Sequence, residues 1–93
     1  MLTETTGTKR SWPTRPIEIA GSELEVLDTG PSIWLIDRAR RRFLLLPSDV
    51  PLDPAVFEFS WERYEDVTPT RDGRGIVISR PHRRGHRLYV LLH

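Results

Sequence analysis

The chain has 93 residues and a formal charge of +1, enough for one modest core and too balanced for a global pull toward nucleic acid or membrane. It holds no cysteine, which excludes a disulfide framework, a thiol nucleophile and a thiolate metal site. The longest apolar run, Leu88 to Leu92, is far short of the roughly 18 residues of a membrane span, and residues 1–16 lack the apolar stretch of a secretory signal. A soluble cytoplasmic protein without membrane contact is expected.

Residues 1–15 are rich in Thr and charge, carry Pro13 and show no periodicity, so they read as a flexible arm in which Trp12 alone could dock on something. Residues 16–93 read as a single β domain. In "IEIA", 17–20, Ile17 and Ile19 flank Glu18 as on a half-exposed strand, and Gly21-Ser22 makes a turn. "LEVLD", 24–28, is a second strand closed by "TGPS". "SIWLIDRARRRFLLLP", 32–47, sets two apolar runs about a charged turn. Wound as a helix it yields no clean apolar stripe, and its β-branched and aromatic residues between prolines fit a hairpin. Asp37 opens the turn, its carboxylate suited to accept a nearby backbone N–H.

The proline-rich "PSDVPLDP", 47–54, is a loop. Over 56–67 the signals divide. Phe57, Phe59 and Trp61 alternate with Glu58 and Ser60, which favours extended structure. Asp53-Pro54 would equally start a helix near 54–64 with Phe57, Trp61 and Tyr64 in one stripe. "RDGRG" is a turn, and "IVIS", 76–79, with "RLYVLL", 87–92, flanks "RPHRRGH" in a second hairpin with a basic tip. About seven short antiparallel strands imply an all-β fold, a small barrel or sandwich.

Trp34, Ile36, Asp37, Arg41, Arg42, Trp61 and Tyr64 form a pattern of aromatic-x-Ile-Asp turn, Arg pair, then Trp and Tyr three apart. Over residues 24–67 this resembles a group of small β-rich proteins from high-GC bacteria. The resemblance implies a β fold and carries no activity.

The chemistry-bearing residues form no catalytic constellation. The serines at 11, 22, 32, 48, 60 and 79 sit in no nucleophile context, and the carboxylates at 58, 62, 65 and 66 read as a solvated face. "DGRG" and "RRG" lack the spacing and following helix of a phosphate loop. His82 and His86 lie across a turn and His93 ends the chain, too few ligands for zinc. No metal, cofactor or enzymatic activity is expected.

Thirteen of the fourteen basic residues are arginine, and charge is uneven: residues 1–70 carry −4 and residues 71–93 carry +5. The Arg-rich tips, with Arg38, Arg40 and Arg41 on one and Arg80, Arg83, Arg84 and Arg87 on the other, give one function hypothesis, a nucleic-acid-binding β-barrel. Against it stand solubilising charge at strand ends and pairing with the acidic segment 48–70, which carries −5.

The leading hypothesis rests on the runs 33–36, 43–46 and 88–92, which do not alternate as a one-sided strand should. Each outward Ile, Leu or Trp left wet forgoes about 1.5–3 kcal/mol, so the second face needs a cover: the proline-rich loop, the arm or another chain. The expected function is a non-enzymatic protein-interaction module or assembly subunit. It would act as a homodimer or with another protein chain, through Ile33, Trp34, Leu35, Phe43 and Leu45.

Overall fold

A computed structural model describes residues 13–81 and 87–91. The first twelve residues of the expected arm, the second hairpin's tip at 82–86 (with Arg83, Arg84, His82 and His86) and residues 92–93 lie outside them. The chain is all-β; its described residues form eight antiparallel strands in two sheets and no closed barrel. Strands β1 (Arg15–Ile19), β2 (Ser22–Asp28), β3 (Ser32–Asp37), β4 (Arg42–Pro47) and β5 (Glu62–Arg63) form a five-stranded meander in that order. Strands β6 (Asp66–Pro69), β7 (Gly75–Ser79) and β8 (Arg87–Leu91) form a three-stranded one. No helix among the described residues is long and apolar enough to cross a membrane.

The non-alternating hairpin is explained by a cover on each face, both supplied by the same chain. On one face Ile33, Leu35, Leu44 and Leu46 join Ile19, Leu24 and Val26. They are capped by Val56 and the partly buried Val50, Leu52, Phe57 and Trp61, all from the connection between β4 and β5. On the other face Leu27, Ile36 and Phe43 pack against Tyr64, Val67, Ile76, Ile78 and Val90 of the second sheet and its approach. Cross-strand register keeps the faces consistent: Leu35 opposes Leu44, and Ile36 opposes Phe43. Leu35 and Ile36 are both 0% exposed although they point to opposite sides. A strand buried twice must be apolar throughout.

The alternation over 56–61 does not produce a strand. A 3-10 helix spans Pro54–Glu58, started by Asp53, whose Oδ1 accepts the Ala55 N–H at 2.9 Å, with Pro54 in the first turn. The helix turns Val56 into the core, and Phe57 and Trp61, four residues apart, stack with ring centres 6.1 Å apart. Trp61 also donates its indole N–H to the Val56 carbonyl at 3.0 Å, tying the cover down. The strands expected from this segment come later, as β5 and β6. Between them Tyr64 is buried at the corner joining the sheets, its N–H on the Arg41 carbonyl at 3.0 Å.

Two turns depend on particular residues. Ala20 and Gly21 connect β1 and β2 with φ of 51° and 82°, the two-residue geometry whose twist matches a hairpin. Gly75 is buried where β8 crosses β7. A Cβ there would lie 2.0 Å from the Val90 carbonyl oxygen and 2.9 Å from Leu91 Cα, so no other residue permits that approach.

Candidate interaction surfaces

At the tip of the β3–β4 hairpin the chain folds its own arginines onto acceptors. Asp37 is 1% exposed and accepts three hydrogen bonds: the Arg40 N–H at 3.2 Å, Arg40 Nη1 at 3.2 Å and Arg42 Nε at 3.1 Å. Burial pushes this carboxyl up, but the hydrogen bonds from Arg42 and Arg40 outweigh it and hold its pKa below the ordinary value. Asp37 therefore opens the turn as its position predicts, and also gathers two guanidiniums. Arg38 pairs with Glu25, which also accepts from Thr14 Oγ1 at 2.9 Å. Arg41 donates to the Glu65 carbonyl at 2.9 Å.

Arg80 lies with its Nε 3.5 Å from a Glu62 carboxylate oxygen, a spacing for charge attraction without a hydrogen bond. Arg87 is exposed at the start of β8. Of the seven arginines expected to form basic tips, Arg38, Arg40 and Arg80 thus sit against carboxylates and Arg41 against a carbonyl. The described tip is in large part neutralised at home.

The five apolar residues expected to meet a partner separate in the same way. Ile33, Leu35 and Phe43 belong to the chain's own cores and cannot reach another molecule without opening them. Trp34 is partly buried and stacks on Phe43, with ring centres 5.9 Å apart. Leu45 is 50% exposed, beyond the cover given by the second sheet, and with Trp34, Leu88, Glu62 and Arg80 lines a small depression.

The larger exposed apolar residues lie elsewhere. On β8, Tyr89 is 66% exposed and Leu91 54%, both on the outer face with half-buried Val77 beside them. That strand pairs with β7 on one side, and no described strand pairs with the other. The contrast with the remaining sheet edges is sharp. β1 carries Pro16 between Arg15 and Glu18, β5 is two charged residues long, and β6 has Asp66 and Pro69 at its ends. Short length, charge and proline are the devices that keep sheet edges from pairing with another chain. In "RLYVL" only the opening Arg87 is such a device. The sequence marked this run as apolar strand; its edge position depends on the order of strands and leaves no local trace.

Set against protein-family models, curated proteins and solved structures, the chain gives no match.

Proposed function

We propose that the chain is a small non-enzymatic protein-interaction module that pairs with a second copy of itself along the free edge of β8. The supporting observation is that, among the described strands, β8 is the edge without a run of charge or proline, and it carries the most exposed large apolar residues described. Edge addition takes its affinity from main-chain hydrogen bonds and its selectivity from alternate side chains.

A second copy suits this strand. Antiparallel pairing about a two-fold axis at Tyr89 sets Tyr89 against Tyr89, Leu88 against Val90 and Arg87 against Leu91. The two Arg87 charges are then kept at opposite ends, and an aromatic pair stands at the centre, worth about 0.2–1 kcal/mol. A single strand pair buries less than a standard interface, so the dimer is weak, with a dissociation constant on the order of 10–100 µM.

Sedimentation velocity across a concentration series tests this reading. The wild type should dimerise reversibly, Tyr89→Lys and Leu91→Lys should remain monomeric, and Leu45→Lys should dimerise like the wild type. A monomer at all concentrations to about 1 mM, or a dimer that survives both β8 substitutions, overturns it.

A further inference from the structure

A second surface lies on the opposite side of the five-stranded sheet from β8's contact, where β4 meets β5. Arg42 and Arg63 are direct cross-strand partners, so their side chains leave the sheet on the same face. Like charges in that position repel and destabilise the pair. Among the described residues, the carboxylate ion-paired in this group is Asp37, already shared between Arg40 and Arg42 and sealed from solvent. Arg63 has no ion pair among the described residues, which leaves Arg40, Arg42, Arg63 and Asp37 with a local charge of +2.

The Arg42 guanidinium is held by one hydrogen bond and two aromatic rings. Its Nε is on Asp37, and its Cζ lies over the Trp61 ring, 4.5 Å from the ring centre, and over the Phe57 ring at 5.9 Å. Of its five N–H donors, Asp37 takes one. Phe59 is 44% exposed next to this group. Arg40, Arg42, Phe57, Phe59, Trp61 and Arg63 line an open depression of about 380 Å³, near the lower end of the size range for small-molecule sites.

We infer that this depression binds a nucleotide unit, either free or within a single strand. Arg42 and Arg63 take the phosphate with their unused donors, and the Phe59 ring stacks the base. A bridging phosphate converts the Arg42–Arg63 repulsion into a shared attraction. A peptide carboxylate would satisfy the charges but leave the exposed ring without a flat partner, so the arrangement favours a ligand carrying both groups. This site is separate in space and in residues from the β8 edge, and it relocates nucleic-acid recognition from the arginine tips to residues that include Arg63, Phe59 and Trp61.

Fluorescence anisotropy with a labelled ten-nucleotide single strand, and competition by AMP, inorganic phosphate and poly-glutamate, tests the assignment at about 50 and 150 mM salt. Arg63→Ala should weaken binding about tenfold and flatten the log K against log salt slope by about 0.7, the contribution of one phosphate contact to a single strand. Phe59→Ala should weaken it about fivefold and leave the slope unchanged. Arg87→Ala should bind as the wild type, and so should Tyr89→Lys, which separates this site from β8. Competition by AMP as effective, per nucleotide, as by the unlabelled strand identifies a free nucleotide as the natural source; a strand that outcompetes AMP identifies single-stranded nucleic acid. The inference fails if no binding is seen at 50 mM salt up to about 1 mM protein. It also fails if Arg63→Ala is no weaker than Arg87→Ala, or if inorganic phosphate or poly-glutamate competes as well as AMP.

Discussion

Replacing Asp37 removes the acceptor on which the tip of the β3–β4 hairpin is built. Its carboxylate holds three hydrogen bonds at 3.1–3.2 Å in a site closed to solvent, two of them from charged guanidiniums. Such charge-assisted bonds contribute about 1.5–3 kcal/mol each. Both arginines reach water, however, and rehydrate when the carboxylate is lost, so the charged bonds lose less than their full value. Asp37→Ala should therefore cost about 2–4 kcal/mol, roughly 10–30 °C in melting temperature for a chain of this size. Asp37→Asn keeps an oxygen for the Arg40 N–H and loses the charge, and should cost about 1–2 kcal/mol.

Urea unfolding at pH 7 measures both, and pH separates charge from shape. Because the folded pKa of Asp37 is depressed, its stabilisation is complete above the unfolded carboxyl range near pH ~4 and is lost as pH falls through the folded value. The gap between wild type and Asp37→Asn should hold from pH 7 to about 5 and close below about pH 4. No gap at pH 7, or a gap unchanged down to pH 2, would refute the reasoning.

Leu35→Ala, at a fully buried position, should cost about 2–5 kcal/mol, and Leu45→Ala, half exposed on the same hairpin, under about 1 kcal/mol. Equal losses in chemical denaturation would mean that the hairpin's faces are not covered as described. Gly75→Ala forces a Cβ onto the Val90 carbonyl and should separate β8 from β7, with amide exchange accelerated across both strands. Gly21→Ala meets open space and should cost only the positive φ, about 1 kcal/mol. Burial raises the Tyr64 pKa, so its folding contribution is complete below pH ~10 and fades as pH rises through the folded value. Alkaline unfolding should be milder in Tyr64→Phe, as followed by circular dichroism from pH 9 to 12.

The hairpin 32–47 is legible in sequence because two apolar runs, a charged turn and flanking prolines all agree. The need for a second cover is equally legible, since Ile33 through Ile36 cannot all face one core. Which segment supplies the cover is not, because it depends on where the chain goes after Pro47. Over 53–61 the alternation of Phe57, Phe59 and Trp61 matches a strand as well as a helix. Asp53 and Pro54 decide it, with a cap and a fixed φ that an alternation count ignores. The arginines were visible as clusters, but their partners were not: Arg38 meets Glu25 and Arg80 meets Glu62 only through the register of distant strands. The Arg42–Arg63 pairing is of the same kind, made by a strand two residues long.

The most direct test of the proposed function is amide hydrogen exchange along β8, residue by residue, at concentrations below and above association. An edge strand bonds its neighbour through alternate residues and offers the others to solvent. In dilute solution alternate amides between Arg87 and Leu91 should exchange fast while their neighbours are protected, and association should protect the fast set. Uniform protection of β8 in the dilute monomer, or association that leaves the fast amides fast, would contradict the assignment of β8 as the interface.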